Sequence, residues 1–382
     1  MKTERLYEAD AYCAAFTAQV ADCRQAGAAF QVVLDRTAFY PEGGGQPGDT
    51  GFLGRVRVLD TQERDGQLFH LTDGPLEVGR TVEGRLDWAR RFDLMQQHSG
   101  EHIVSGLVHA RYGYDNVGFH LGSELVTIDL NGELTEEGLK ELEDEANRMI
   151  WKDISSEITY PGPEELKSLS YRSKKELTGR VRIVTFPGLD CCACCGTHVT
   201  RTGEIGLIKL LSCQKFRSGV RVELLCGGRA LAWLNRTWQQ NSRVSQLLSA
   251  KPEETGQAVE RLLEEHQRLK GQLYAAQERQ FAQRAEALSG TGDVLLFEDA
   301  MEPDALRRLA AAVMEQCGGR CAVFAGRDES GYKYAMGQKG GDLRQLVKEL
   351  NAALSGRGGG KPFFAQGSVA ASRREIEAFF AP

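Results

Sequence analysis

Two histidines four residues apart, His98 and His102, are the strongest local signal for chemistry in this chain of 382 residues. On a helix this spacing places both imidazoles on one face, with Cβ atoms about 5–6 Å apart, which suits chelation of a metal ion. The pattern differs from that of zinc proteases, in which a glutamate directly follows the first histidine. A coincidence on the surface or in the core is the alternative interpretation of such a pair.

A second pair, Cys194 and His198, lies far along the chain in CCACCGTHV. One thiol and three imidazoles are ligands that zinc prefers in tetrahedral sites, so the two pairs together predict one Zn²⁺ ion held by His98, His102, Cys194 and His198. Four protein ligands also fit a closed, structural zinc site, because a catalytic zinc usually keeps one position open. Iron and copper suit the same ligands, but nothing else in the sequence indicates redox chemistry.

The third signal is a run of three glycines, Gly43, Gly44 and Gly45, within TAFYPEGGGQPGDTG. Consecutive glycines permit positive φ and let the backbone approach a ligand closely. The run is not a nucleotide-binding P-loop, because no Lys-Ser or Lys-Thr follows it and the next segment is typical of a strand. A tight connection between strands is the alternative interpretation.

The composition is that of an ordinary globular protein, with 41% hydrophobic and 26% charged residues. No apolar run approaches the ~18 residues that span a bilayer, and the N-terminus lacks the apolar segment of a signal peptide, so we expect a cytoplasmic protein. In that compartment the ten cysteines favour metal binding or reactivity over disulfides. The net charge of −6 gives no support to a nucleic-acid partner, so any RNA contact must come from local basic patches.

Several folding units must position these groups, because the chain exceeds the usual size of one domain. We predict an α+β protein whose residues 1–86 form a β-rich, barrel-like domain that carries the glycine motif. Residues 87–230 are predicted to form an α+β zinc domain that begins with a helix capped by Asp87. A change to Gln-, Glu- and Leu-rich sequence predicts a helical hairpin or stalk over 231–290. Alternating strand and helix patterns predict an α/β domain over 291–382.

In this order, FYPEGGGQPGDTG, HSGEHI and ACCGTHV resemble the editing domains of alanyl-tRNA synthetases and the free-standing AlaX proteins. The C-terminal GRGGGKPFFAQG is similar to the glycine-rich signature of the DHHA1 domain, so the resemblance covers nearly the whole chain and fits the long form of AlaX. It implies a zinc-containing hydrolase that deacylates tRNA(Ala) mischarged with serine or glycine, by attack of water on the aminoacyl ester. Cys195 stands where the family usually has glycine, so the identity of the cysteine ligand stays open among Cys191, Cys192, Cys194 and Cys195.

The resemblance also implies roles for individual residues. Thr37 would face the side chain of the misattached amino acid. The residues at catalytic positions are Thr37, Gln46 and His120, and those of the substrate motif are Gly43, Gly44 and Gly45. In the C-terminal domain, Arg357 and Lys361 are candidates for tRNA contacts, and the run from Gly358 to Gly360 could form a backbone nest for phosphate. A homodimer through the stalk or the C-terminal domain is a further expectation.

An editing enzyme of this kind would answer a selectivity problem. A pocket for alanine cannot strongly exclude glycine, because one methyl group is worth only ~1–3 kcal/mol, nor can it easily reject serine. The main alternative is a non-catalytic, zinc-stabilised tRNA-binding protein. A phosphoesterase is a weaker alternative, since the Asp-His-His signature of the enzymes that share the C-terminal domain is absent.

Overall fold

The computed structural model describes residues 3–173 and 180–381. The chain divides into two compact units, Met1–Ser242 and Arg243–Pro382. Helices and strands occur in both units, so the predicted mixed α+β class is confirmed. Within the described residues, every helix is too short or too polar to cross a lipid bilayer.

The first unit begins with strands that form a barrel. Six strands close it in the order β2-β3-β7-β6-β5-β8, and β1 pairs in parallel with β4. Alternation of exposed and buried residues, clearest in β2 and β8, turns one face of each strand into the barrel. The elements are β1 (Glu4–Arg5), α1 (Leu6–Ala9), β2 (Ala15–Ala26), β3 (Ala29–Leu34), β4 (Arg36–Thr37), β5 (Gly51–Leu53), β6 (Val56–Arg64), β7 (Gln67–Thr72) and β8 (Thr81–Leu86).

Helix α2 (Trp88–Tyr112) follows the barrel directly and carries both histidines of the first pair. Asp87 caps the helix by accepting a hydrogen bond from the Arg90 backbone N–H, which confirms the predicted start. The helix ends at Gly113, whose φ of 69° lies in the left-handed region that glycine adopts readily. The residues from 97 to 108 are all buried, so the two histidines lie inside the unit.

Two antiparallel sheets and a second long helix complete the core of the first unit around α2. The sheets have the orders β14-β15-β10-β9 and β11-β12-β13, and α2 contacts β9, β13 and β15. Thr135 caps α3 by accepting a hydrogen bond from the Gly138 backbone N–H. The elements are β9 (Asn116–Leu121), β10 (Val126–Leu130), α3 (Glu136–Ile150), β11 (Glu157–Thr159), α4 (Pro163–Ser168), β12 (Ile183–Phe186), β13 (Asp190–Ala193), β14 (Ile208–Phe216) and β15 (Gly219–Cys226).

Two helices follow, α5 (Gly227–Leu248) and α6 (Thr255–Ala287), with a short 3-10 turn at Pro252–Glu254 between them. The break falls at the Lys251-Pro252 step, as expected for proline at a helix start. The domain limits at residues 86, 230 and 290 stay predictions.

The C-terminal part of the second unit is a five-stranded sheet in the order β16-β17-β18-β20-β19 with helices on it. Strands β16 and β17 are parallel and the other pairs are antiparallel. Consecutive residues of β17, such as Val323 and Phe324, enter two separate apolar clusters, so both faces of the sheet are covered. The elements are β16 (Gly292–Glu298), α7 (Pro303–Gln316), β17 (Gly318–Arg327), β18 (Gly331–Gln338), α8 (Arg344–Ala353), β19 (Arg357–Lys361), β20 (Phe364–Val369) and α9 (Arg373–Phe380).

The glycine run from Gly358 to Gly360 is extended, because it forms the middle of the edge strand β19 and pairs with β20. In a strand, successive N–H groups point to opposite edges and do not converge on one anion. The predicted phosphate nest is therefore wrong. Composition alone does not distinguish a phosphate-binding nest from an extended strand, since a run of glycines is compatible with both.

Candidate metal centre

Four side chains from two distant segments converge inside the first unit: His98, His102, Cys194 and His198. One ligand atom from each lies within 4.8 Å of all the others. The Nε2 atoms of His102 and His198 are 3.2 Å apart, and Cys194 Sγ lies 3.4 Å from His98 Nε2. In a tetrahedral zinc site, with bonds of about 2.0 Å to nitrogen and 2.3 Å to sulfur, neighbouring ligand atoms are about 3.3–3.6 Å apart. The donors and their spacing thus fit a metal ion.

Helix α2 supplies the first two ligands one turn apart, and the loop after β13 supplies the other two. Gly196 lets this loop reach the helix, because a Cβ at that position would collide with the His98 ring. The preceding residue, Cys195, is exposed. A side chain larger than the glycine of the family motif therefore fits at position 195, whereas position 196 requires glycine.

The structure separates the four clustered cysteines. Cys194 lies with the three histidines, Cys195 is exposed, and the Thr185 hydroxyl donates to Cys191 Sγ at 3.5 Å. Cys192 belongs to a different group with His102 and Asp190. In that group the Arg172 guanidinium already donates to the Asp190 carboxylate, so a positive charge is present without a metal. Cys194 is therefore the cysteine whose surroundings suit a metal ligand.

Each histidine of α2 is held at Nδ1, which leaves its Nε2 directed at the cluster. His98 Nδ1 lies 2.9 Å from Gln46 Oε1, and His102 Nδ1 lies 2.8 Å from Asp190 Oδ2. Arg172 Nε donates to the other oxygen of Asp190 at 2.7 Å. An acceptor at Nδ1 fixes the proton on that nitrogen and the ring orientation, so Nε2 is free to bind a metal.

The charges of the cluster favour a cation. Burial raises the pKa of the Cys194 thiol. The neighbouring His98 and His198 rings and hydrogen bonding with His102 lower it by more than burial raises it, so the net pKa is well below the usual range. Burial lowers the pKa of His102, while hydrogen bonds with Asp190 and Cys194 raise it, and the net result is about 10. A thiolate and a carboxylate therefore attract positive charge to this point, and the thiolate is the form of cysteine that binds metals.

Gln46 is fully buried and joins the glycine motif to the cluster. Its Oε1 accepts hydrogen bonds from His98 Nδ1 and, at 3.1 Å, from the Thr197 backbone N–H, while its Nε2 donates to Thr197 Oγ1 at 2.8 Å. The preceding residue, Gly45, has a φ of 87°, and a Cβ there would collide with the Phe119 ring. That ring lies 5.0 Å from the His98 ring, so the glycine motif packs directly on the cluster.

Two other predicted site residues have different surroundings. Thr37 is fully buried in the barrel, where its Oγ1 lies 2.8 Å from His70 Nε2 and accepts a hydrogen bond from the Phe39 N–H. His120 is exposed and follows Phe119 in β9. Since neighbouring residues of a strand point to opposite faces, the face of β9 that contacts His98 carries Phe119 and not His120.

The remaining predicted residues line surfaces. Gly43 and Gly44 border a cleft of about 1030 Å³ in the first unit, together with Tyr40, Arg182 and Cys195. Of the four metal-ligand candidates, Cys194 is partly exposed and the three histidines are buried, so a ligand would approach from the Cys194 side. In the second unit, Arg357 and Lys361 are exposed at the two ends of β19.

Sequence reasoning missed Asp190, Arg172 and His70. Asp190 ends the PGLD stretch just before the cysteine cluster, and a histidine that binds metal commonly donates its other N–H to a carboxylate. A search for an acidic residue near the predicted ligands would have found it. Arg172 carries no local signal, because it acts only through Asp190. His70 lies among the apolar residues of QLFHL, and a histidine buried in such a strand indicates a hydrogen-bonded interior group.

Comparison with known proteins gives three matched regions. Residues 5–90 match the class II (A) tRNA synthetases, residues 181–222 the second additional domain of threonyl and alanyl tRNA synthetases, and residues 291–381 the DHHA1 domain. The glycine motif lies in the first region and Cys194 and His198 lie in the second.

Three relatives cover most of the chain. It is 29% identical to the alanyl-tRNA editing protein AlaX-L of Pyrococcus horikoshii, over 98% of this chain and 96% of that protein. It is 32% identical to an alanyl-tRNA editing protein of Rattus norvegicus, over 67% of each chain. It is also 31% identical to an alanine–tRNA ligase of Ignicoccus hospitalis, over 94% of this chain but only 40% of the ligase.

Proposed function

Because this chain belongs to the alanyl-tRNA editing proteins, we propose that it is a free-standing deacylase that removes serine or glycine from tRNA(Ala). The reaction is hydrolysis of the ester between the amino acid and the terminal ribose, which releases the amino acid and intact tRNA. The observation that carries the proposal is the convergence of four metal-ligand side chains in the unit whose glycine motif borders a cleft of about 1030 Å³.

The metal in this proposal is Zn²⁺, held by His98, His102, Cys194 and His198. When bound, it would supply a positively charged centre that helps to position the 3′ end of the tRNA and would not activate a water, since four protein ligands fill a tetrahedral shell and leave no open position. Other residues of the chain hold the ligand side chains in one orientation. Gln46 fixes the ring of His98, and Asp190, itself held by Arg172, fixes the ring of His102.

Attack by water is favoured over a covalent intermediate, because none of the described residues that line the cleft is an activated nucleophile. Cys195 lines the cleft, but burial and the neighbouring Cys194 raise the pKa of its thiol. A thiol that stays protonated is a poor nucleophile, and Cys194 is assigned to the metal.

Thr37 is the proposed contact for the seryl hydroxyl, and its surroundings define which hydrogen bond it can make. Burial lowers the pKa of His70 to about 4, so this ring is neutral near pH 7. Its Nδ1 lies 3.1 Å from the Val32 carbonyl, which can only accept, so Nδ1 carries the proton and Nε2 accepts from the Thr37 hydroxyl.

The Thr37 hydroxyl oxygen then has one lone pair left to accept a hydrogen bond, because the Phe39 N–H donates to the other lone pair. Thr37 can accept a hydrogen bond from a seryl hydroxyl but cannot donate one. Alanine and glycine offer no hydroxyl, so this contact would favour serine. Thr37 is fully buried, and the proposal therefore requires the barrel wall beside it to open when the substrate binds.

The C-terminal sheet is proposed to bind the body of the tRNA. A cavity of about 300 Å³ there is lined by Arg344, Lys348, Lys361 and the glycines of β19. Clustered Lys and Arg side chains neutralise phosphates and so supply most of the affinity of non-specific RNA contacts. Arg357 lies at the other end of the same strand. His120, in the first unit, is exposed on β9, and its role as an active-site residue stays a prediction.

The test is release of the amino acid from Ser-, Gly- and correctly charged Ala-tRNA(Ala), with metal content measured on the same samples. We expect catalytic release of serine or glycine and slow release of alanine. The variant His102→Ala should lose both the metal and the activity. If it loses the metal and still deacylates at the wild-type rate, the metal has no part in the reaction.

The alternative, a non-catalytic tRNA-binding protein with structural zinc, gives a different result in the same assay. Such a protein would shift the mobility of charged tRNA and leave the ester intact at every protein concentration. Wild-type protein that binds tRNA(Ala) without releasing serine or glycine would therefore overturn the proposed activity.

A further inference from the structure

Arg182 directly precedes strand β12, and both backbone polar groups of Cys194 bond to it. The Cys194 N–H donates to the Arg182 carbonyl oxygen at 3.1 Å, which extends the ladder between β12 and β13 by one residue. The Arg182 Nη1 donates to the carbonyl oxygens of Cys194 and Gly196 at 2.8 and 3.0 Å. One residue therefore holds the loop that carries the cysteine of the metal cluster.

The contacts of Arg182 continue to a histidine of the cluster through one peptide group. The carbonyl of Gly196 and the N–H of Thr197 belong to the same peptide, which is planar. Arg182 donates to its oxygen, while its N–H donates to Gln46 Oε1 at 3.1 Å. The same Oε1 lies 2.9 Å from His98 Nδ1. A chain of hydrogen bonds thus leads from Arg182 to a second metal-ligand candidate, and the bonds of such a chain strengthen one another.

Stability alone does not explain an arginine at position 182. The residue is only 7% exposed, and it forms no ion pair with any residue of the ranges 3–173 and 180–381. A buried charge without an oppositely charged partner is costly, and a well-packed apolar side chain fills such a place at lower cost. The hydrogen bonds to the ligand loop are the feature that an apolar side chain would not supply.

We propose that Arg182 is a positioning residue for the metal, which holds Cys194 directly and His98 through Gln46. The inference rests on the zinc site of the proposed function and adds to it a residue outside the ligand set. Without Arg182, two carbonyl oxygens would lose their donor. The loop borders solvent at Cys195, so it could then turn outward and carry the Cys194 sulfur away from the three imidazoles.

The experiment measures zinc release from the full-length, metal-loaded protein to a chromophoric chelator. Arg182→Met removes the donors at similar side-chain length, so it should release zinc on the order of tenfold faster than wild type. A single nitrogen, Nη1, serves both carbonyls, so the ammonium of Arg182→Lys can replace it in part. This variant should release zinc more slowly than Arg182→Met. With Co²⁺ in place of zinc, the charge-transfer absorption of the thiolate should weaken in Arg182→Met and recover in Arg182→Lys.

The matched control is Arg229→Met. Arg229 also donates from Nη1 to a backbone carbonyl, that of Gly122 at 2.7 Å, but its other hydrogen bonds go to Asp93 and not to the ligand loop. The control should lower the free energy of unfolding in urea and leave zinc release at the wild-type rate. If Arg182→Met does not fold, Arg182→Gln takes its place with the same expected results, because the shorter amide cannot reach both carbonyls.

Wild-type zinc release from Arg182→Met, or equally fast release from Arg182→Met and Arg182→Lys, would overturn the inference. Because zinc release is measured without tRNA, failure of the deacylase proposal would not change the order of these rates. If wild-type protein deacylates Ser-tRNA(Ala), Arg182→Met should lose activity at limiting zinc and regain it in excess zinc. Activity that stays low in the fully loaded variant would show that Arg182 acts on the substrate, and would also overturn the inference.

Discussion

Replacing Gln46 tests whether this residue acts on the metal or on the substrate. In Gln46→Met a side chain of similar length removes the acceptor from two buried donors, His98 Nδ1–H and the Thr197 backbone N–H. Loss of an outer partner of a metal ligand typically lowers metal affinity 10- to 100-fold, about 1.4–2.7 kcal/mol. We therefore expect Gln46→Met to release zinc 10 to 100 times faster than wild type.

Gln46→Glu should behave differently, because its carboxylate keeps an acceptor for both donors. The second carboxylate oxygen replaces the amide that donates to Thr197 Oγ1, and the threonine hydroxyl can rotate to become the donor. A carboxylate at Nδ1 increases the basicity of a histidine ligand, so zinc release from Gln46→Glu should be as slow as in wild type or slower.

The assay is release of zinc from metal-loaded protein to a chromophoric chelator, followed by absorbance. Gln97→Met is the matched control. Gln97, on α2, is fully buried like Gln46, but its side chain makes hydrogen bonds with the backbone of Cys226. It should lower the free energy of unfolding without changing the rate of zinc release. Wild-type zinc release from Gln46→Met, combined with loss of deacylation, would refute the positioning role and indicate direct contact with the substrate.

Three further predictions concern other parts of the chain. Burial lowers the pKa of His70 from 6.5 to about 4, so between these pH values the unfolded chain binds a proton that the folded chain excludes. The free energy of unfolding should therefore be unaffected by His70 above pH 6.5 and fall by about 3 kcal/mol as the pH is lowered to 4. His70→Asn should reduce this loss of stability, as measured by urea unfolding at several pH values. Asp190→Asn should lower zinc affinity on the order of 10- to 100-fold in chelator competition, because it weakens the hold on His102; unchanged affinity would contradict this. Leu269 and Leu273 are exposed on α6, so Leu269→Glu should convert a dimer to monomers in light scattering, and a persistent dimer would place the interface elsewhere.

The features that could be predicted from the sequence are those with a short-range signal. Helix α2 begins at Asp87 because a capping residue precedes a run of helix formers, and its two histidines are one turn apart by the geometry of any α-helix. The bounds of single strands are harder to predict: the twelve-residue strand β2 alternates in its first half, but its second half lacks strict alternation.

Apart from the convergence of the two predicted ligand pairs, contacts between distant segments could not be predicted from a local pattern. The resemblance implies a catalytic position for Gln46, but it does not identify the partners of this residue, His98 and Thr197, which lie 52 and 151 residues away. His120 was assigned to the site by motif position, whereas the two-residue period of β9 gives Phe119 the inward face. In both cases tertiary packing decides which residue of the motif contacts the metal-ligand cluster.

The hydrogen bonds of Gln46 imply that metal binding and formation of the cleft are coupled. Three segments must approach within hydrogen-bond distance at this residue: the glycine motif, helix α2 and the loop after Cys194. Gly45 and Gly196 allow this approach, since a Cβ at either position would collide with an aromatic or imidazole ring. A metal that orders His98 therefore also orders Gln46 and, through the chain, Gly43 and Gly44 on the wall of the cleft. By linkage, if the metal increases the affinity of the cleft for a ligand by some factor, that ligand must increase the affinity of the protein for the metal by the same factor.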